Sequence, residues 1–487
     1  MTDQSAAAVN TVPVPPARLE PDAIGVAQDT VIGMASSAPA ASVGLTLAAL
    51  AAATAYGSGP IILLTAIPML VIANAYRRLN MWNANCGASF EWVGRAINPY
   101  LGFLTGWLMI AAYIIATVSG VEVLGPSVLA VFGSSSTSTW ANIAIGSAVG
   151  VVMLIIAVVG IKITARAQVG MALVEYSILV GLSIAGLVAV LAHHPGTYPM
   201  TRGWWSLSGV GGHGDAAAGF LIAVFMFTGW DGTLYVNEEV RHRRINPGRA
   251  ALLAVCFLAV IYTLAIVGLQ GVVSPAKLQA NSASALVYVA QALGGGFWAK
   301  MMALALALSV IATTGTGIVL TSRIVYGMAS YRVLPEFLAT ISRRFATPVA
   351  ASILVGVLII GLTWVYLLAT SVQNAFNDVV AVTGLLFAIF YIMTALATIV
   401  YYRGRVFTRV RDAVLLGLLP LGAAGFLGWV FVKSMQAASA PQVWSLVGVV
   451  VAGLLLMLVA RFVLRSSFFQ TRRESAKIQP EVDTAAR

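Results

Sequence analysis

The chain has 487 residues, of which 59% are hydrophobic and only 9% are charged. So few charges cannot cover the surface of a soluble protein of this length, which excludes a soluble enzyme and points to a multi-pass membrane protein. The formal net charge of +11 would suit nucleic acid or anionic lipid, but its distribution along the chain gives it another meaning.

Residues 1–24, rich in Ala, Pro and Val, lack the basic start and apolar core of a cleavable signal and read as a disordered cytoplasmic tail. Hydrophobic runs of spanning length come next, at 26–55, 59–76, 99–132, 140–161, 167–192, 216–237, 248–273, 297–322, 348–369, 378–402, 413–433 and 442–464. The expected transmembrane domain is therefore 25–465, and 466–487 is expected to be a second cytoplasmic tail. With the N-terminus placed inside, all but Arg202, Lys277, Lys300 and Lys433 of the 28 basic residues fall on the inner side. This asymmetry predicts cytoplasmic termini in a plasma or inner membrane, and the basic charge becomes a topology signal with no call for nucleic acid.

The first run is interrupted. Its middle reads VIGMASSAPAASVG, where Pro39 removes a backbone donor and Ser36, Ser37 and Ser42 compete for backbone hydrogen bonds. The sixth run is interrupted as well, at Thr228-Gly229-Trp230-Asp231-Gly232. Runs one and six hold equivalent positions in two groups of five, 1–5 and 6–10. An odd number of spans makes the second group enter from the opposite side, so the repeats (about 25–195 and 215–405) are inverted. Paired interruptions at matching positions mark a transporter binding site at mid-membrane, since unwound backbone is tolerated there only where it lines a cavity. Freed N–H groups can hold a carboxylate and freed carbonyls an ammonium, which suits an amino acid.

Acidic residues inside the runs narrow the site. Glu175 lies roughly 13 Å beyond Arg166 at 1.5 Å per residue, too deep for a short carboxylate to reach the interface, and is a candidate proton-coupling group or cation partner. Asp231 falls within the second break. Glu122 is expected to reach the outer interface, and Asp378 sits at the edge of the tenth run. Cys86 and Cys256 lack metal-ligand spacing and read as packing residues, and the four histidines lie in or beside loops. With no metal set, cofactor motif or nucleophile–base pair, the chain does not read as an enzyme. A sensor built on a transporter fold would need a folded soluble output domain, for which both tails are too short.

Three stretches carry a family resemblance: FMFTGWDGTLYVNEE (225–239) together with NPGRA (246–250), SRIVYGMASYRVLPEFLATIS (322–342), and NCGASFEWVGRAINPYLGFLTGW (85–107). In this order they resemble the amino acid–polyamine–organocation transporters over roughly 25–465. The resemblance implies an all-α fold of twelve transmembrane helices with a LeuT-like five-plus-five inverted repeat and broken helices one and six. It implies a secondary transporter for amino acids or related amines, with an exchanger or a polyamine importer as alternatives and a proton as a possible co-substrate. The substrate would lie against Ser36, Ser37, Ala38, Pro39 and Ala40 on one side, and against Phe225, Met226, Phe227, Thr228, Gly229 and Asp231 on the other. Phe225 takes the place of an aromatic cover, with the carbonyls of Phe225, Met226 and Thr228 turned to an ammonium. The break in span one departs from the family's Gly-Ser-Gly, and Glu175 stands where several proton-coupled relatives carry a lysine. Glu238 and Glu239 closing span six, with Arg323 closing span eight, would form a cytoplasmic gate.

Overall fold

The computed structural model describes residues 18–134, 138–207, 215–369, 372–471 and 473–476, the side chains of 283 and 372–380 excepted. Among them, twelve helices are long and apolar enough to cross a membrane. Span one is split into α1 (Val26–Ser36) and α2 (Pro39–Ala53), and span two is α3 (Ser58–Trp82). A short helix, α4 (Ser89–Ala96), separates it from span three, α5 (Pro99–Val131). Spans four and five are α6 (Thr139–Val159) and α7 (Ile161–Leu191). Span six begins as α8 (Ala216–Met226) and resumes as a 3-10 turn over Trp230–Leu234. Then come α9 (Asn246–Leu269), α10 (Ala285–Ser330), α11 (Val349–Ala369), α12 (Val372–Tyr401), α13 (Leu419–Ala437) and α14 (Ala440–Leu458), which supply spans seven to twelve.

Local chemistry sets the helix ends. Gln28 reaches back to the Gly25 N–H at 3.0 Å to start α1, and Asn98 caps α5 through the Tyr100 N–H at 2.8 Å, with Pro99 in the first turn where its missing donor costs nothing. Asp215 caps α8 through Ala217 and Ala218. Spans two and seven, three and eight, and four and nine pack extensively on each other. With the contacts between the halves of spans one and six, four of the five spans of the first repeat meet their counterparts five positions later, as a two-fold axis between inverted repeats leads one to expect.

The structure redraws several expected boundaries. Helix α3 runs past 76 to Trp82, because arginine stems at 77 and 78 can reach the interface while the backbone stays helical. Span eight starts before residue 297: α10 is helical from Ala285 and kinks at Gly294–Gly295, where Gly295 adopts φ +75°. The break in span one is narrower than 36–42, since Pro39 already begins α2 and Ser42 lies inside it.

The packed body also extends beyond 25–465. Residues 1–17 of the expected N-terminal tail lie outside the described residues, but Leu19 and Ile24 are buried. Ile24 pairs in parallel with Val240 as an isolated bridge, and Ala23 N–H donates to the Glu239 carbonyl at 2.8 Å. In the expected C-terminal tail, Phe468 and Phe469 are buried. Phe468 stacks on Phe90 at 4.4 Å, and Glu474 pairs with Arg95 on α4 at 2.7 Å. Sequence hydropathy misses both segments because each docks through a few residues, with no continuous apolar run. Residues 477–487 lie outside the described part, as does the side chain of Asp378.

Candidate substrate site at two interrupted helices

The two breaks meet. In span one, Ala38 turns left-handed (φ 46°, ψ 65°), which ends α1 and lets Pro39 open α2. In span six, Phe227 closes α8 and Gly229 takes φ +102° before the 3-10 turn. A Cβ on Gly229 would stand 2.6 Å from the Ser36 carbonyl oxygen and 3.0 Å from the Ser37 nitrogen. Glycine is therefore required twice over, by its backbone angle and by the direct approach of one broken backbone to the other.

Around this contact, Ser36, Ala38, Phe225 and Thr313 keep partial exposure although they lie mid-bundle. A space therefore borders both breaks. The carbonyls at the end of α1 are met by neighbouring side chains. The Ala35 carbonyl accepts from Thr313 Oγ1 at 2.9 Å, and the Ser37 carbonyl accepts from Ser42 at 2.7 Å and Tyr262 at 3.3 Å. The start of α2 supplies donors: Ala40 N–H to Glu175 Oε1 at 2.9 Å, and Ala41 N–H to Ser309 Oγ at 3.2 Å. Glu175, singled out by depth alone, thus reaches the break of span one from span five.

Asp231 is arranged differently. It is fully buried and accepts hydrogen bonds from three tyrosines on three spans: Tyr113 at 3.0 Å, Tyr391 at 2.7 Å and Tyr235. Tyr391 also accepts from the Gly229 N–H, and Tyr113 touches the Gly229 carbonyl, each at 3.4 Å. Three hydroxyl donors satisfy a buried carboxylate, so in this arrangement Asp231 ties span six to spans three and ten. The Phe225 carbonyl, expected to face an ammonium, accepts both the N–H (3.0 Å) and the hydroxyl (2.8 Å) of Thr228. Met226 and Phe227 are buried, and Phe227 packs edge-on against Tyr262.

A crevice of about 400 Å³ lies elsewhere, lined by Leu63, Leu187, Met200, Trp205, Val260 and neighbouring apolar side chains. Its walls suit an acyl chain, and no charged group lines it.

Known proteins place this geometry. A family described as "Amino acid permease" matches residues 28–469. The chain belongs to that family. Its relatives include the Asc-type amino acid transporter 1 of Mus musculus, 32% identical over 138 residues, although that match covers only 28% of this chain and 26% of the relative. The D-serine/D-alanine/glycine transporter of Escherichia coli (strain K12) is 22% identical over 69% of this chain and 71% of its own length. Among solved structures, MhsT in complex with L-phenylalanine superposes with a TM-score of 0.58 at 15% identity, covering 85% of this chain and 99% of that one. That likeness gives this family member the LeuT-like fold that the resemblance implied.

At the arginine-rich end of this family member, Arg323 and Glu239 form a two-pronged ion pair, Nη2 to Oε1 and Nε to Oε2, each at 3.0 Å and both side chains fully buried. Glu238 does not join it; it accepts instead from the Cys86 N–H at 3.1 Å. Burial holds the Glu238 carboxyl above its ordinary range, and burial together with the nearby glutamates pushes the Cys86 thiol up. Glu122 accepts from Tyr366 at 2.9 Å.

Asp29 was not among the residues singled out from the sequence. It is buried in α1, and neither carboxylate oxygen has a hydrogen-bond partner among the described residues. The signal was present, since Asp29 falls inside the first apolar run as Glu175 falls inside the fifth. Tyr113, Tyr391 and Ser309 were missed because a phenol or hydroxyl in an apolar helix is unremarkable until the fold brings it to a carboxylate.

Two variants test this construction. Gly229→Ala forces both a strained φ and a backbone clash, and is expected to abolish a monodisperse folded fraction in fluorescence-detected size exclusion. Asp231→Asn replaces one acceptor oxygen by a donor facing a tyrosine hydroxyl, with an expected loss of about 1.5–3 kcal/mol per charged hydrogen bond. Thermal unfolding of the detergent-purified protein checks this, and an unchanged midpoint would show that the three phenols hold nothing together.

Proposed function

We propose that the protein is a secondary transporter that carries an amino acid across the plasma or inner membrane by alternating access, with its substrate held between the breaks of spans one and six. The observation that carries this reading is the contact of Gly229 with Ser36–Ser37 beside a partly exposed space at mid-bundle. Carbonyls at the end of α1 are suited to an ammonium group and the start of α2 to a carboxylate, while Phe225 stands at the rim as an aromatic cover. The name of the Escherichia coli relative favours a small neutral amino acid, and other relatives are named for large neutral ones. One observation favours a second reading, an amine without a carboxylate: the α2 donors at Ala40 and Ala41 are already occupied by Glu175 and Ser309.

Glu175 is the group we assign to proton coupling, because it touches the break of span one directly and keeps one oxygen without a partner among the described residues, whereas Asp231 is satisfied by three phenols. Charge asymmetry supports a cytoplasmic position for the termini and the Glu239–Arg323 pair. There the pair, the Ile24–Val240 bridge and the Ala23–Glu239 hydrogen bond close the inner ends of spans one, six and eight. A buried ion pair at that point fits a gate that must break for the site to open inward.

The substrate reading is tested in proteoliposomes with a panel of amino acids and their decarboxylated amines, each with and without an inward proton gradient. Uptake of a neutral amino acid that the gradient accelerates is the expected result; uptake of amines alone selects the second reading, and transport of neither class overturns both.

The gate has a built-in reporter in Cys86, buried beside Glu238. Removing one partner of a buried ion pair costs about 3–5 kcal/mol, so Glu239→Gln should shift the population toward an open inner face. In a Cys256→Ser background, maleimide labelling of Cys86 is expected to rise by about tenfold or more as access and thiolate fraction both increase. Equal labelling rates in both proteins, at a temperature where both are folded, would exclude the gate.

A further inference from the structure

The donors at the break of span one can be accounted for one by one. Ser37 and Ala38 donate back to Met34 and Ala35 at 3.0 and 3.1 Å, and Ser42 has returned to the Ala38 carbonyl at 2.7 Å. Pro39 has no N–H. Only Ala40 and Ala41 remain, and as first-turn donors of α2 they form an anion-attracting helix start. Both are engaged from across the bundle, Ala40 by Glu175 and Ala41 by Ser309. Glu175 is fully buried, and its Oε2 has no hydrogen-bond partner among the described residues. The seat that suits a substrate carboxylate therefore already holds a carboxylate, the protein's own.

We propose that Glu175 and the carboxylate of an amino acid compete for the N-terminus of α2, so that Glu175 sets substrate selection as well as carrying a proton. This rests on the substrate reading above. Two ionised carboxylates cannot share one donor pair in a low-dielectric site. An amino acid then seats its carboxylate only when Glu175 takes up a proton from solvent. The neutral carboxyl releases Ala40 and can donate its O–H to the newcomer, so no bond is made or broken beyond that proton's transfer. An amine without a carboxylate has no such requirement: Glu175 stays ionised on Ala40 and attracts the ammonium. Among the described residues, the titratable groups that feel the charge of Glu175 are Tyr176 on its own helix and Tyr262 on α9. Neither supplies a positive charge that would let both carboxylates remain ionised.

The consequence is a pair of opposite slopes. Binding an amino acid takes up a proton, so its affinity tightens as pH falls, by up to about tenfold per pH unit. Binding the matching amine favours ionised Glu175, so its affinity is flat or strengthens as pH rises. Equilibrium binding to the detergent-purified full chain tests this from about pH 5 to about pH 8, with alanine against ethylamine and phenylalanine against phenethylamine as probes. Glu175→Ala removes the competitor and is expected to bind the amino acids about tenfold or more tighter at high pH, with the slope gone and amine affinity lowered. Glu175→Gln keeps an acceptor on Ala40 with no charge, and it should lose the slope too, which preserves the test if the alanine variant does not fold. A slope that persists in the variants, or a loss of amino acid binding as large as that of amine binding, would overturn the competition. Wild-type protein that binds none of the four probes would overturn the substrate reading and this inference together.

Discussion

Hydrocarbon offers no hydrogen-bond partners, so a helix interrupted inside a membrane must have its freed backbone groups satisfied by the protein itself. That constraint organises this molecule. Span one breaks at Ala38 and span six at Gly229, and each break is completed by the side chains that stand around it. Span five sends Glu175 and span eight sends Ser309 to the donors of the first break. Spans three and ten send tyrosines to the second, where they also hold Asp231. The four supporting helices are fixed at the height of the breaks because that is where unpaired backbone would otherwise cost most.

The two breaks are satisfied in different ways, and the difference bears on mechanism. Around Gly229 the partners are three phenols on one carboxylate, a closed set with little capacity left over. Around Ala40 the partner is a carboxylate with one oxygen to spare. A saturated knot suits a part that moves as a rigid piece, whereas a half-satisfied acid suits a place where something is to be exchanged.

Much of this was legible in the sequence. The number of spans comes from hydropathy, and the two interruptions come from proline, glycine and clustered small polar residues, whose backbone preferences are strong enough to read without neighbours. The depth of Glu175 comes from helix rise. Long-range assignments could not be read: that Asp231 meets Tyr113 and Tyr391, that Ala41 meets Ser309, and that Glu239 rather than Glu238 meets Arg323. Each depends on the rotation of one helix against another, which hydropathy along a single helix does not fix. The packed segments at 19–24, 466–471 and 473–476 escaped for a related reason, being short pieces held by a few specific contacts.

The last two of those segments also govern span twelve. Only 17% of that span's most apolar window is buried within the protein, against 78% for span eight, so α14 has little shape-specific packing of its own. Its C-terminal end is instead fastened by the residues just beyond it: the Ser466 hydroxyl on the Tyr331 carbonyl, Phe468 on Phe90, and Glu474 on Arg95. Selection should therefore treat the two stretches unequally. Over 440–463 most apolar substitutions away from Gly453, which packs on Trp107, keep the helix in lipid, whereas the polar-looking residues after it must preserve shape and charge. The more conserved half of this C-terminal region is then the one that a hydropathy plot would dismiss as tail.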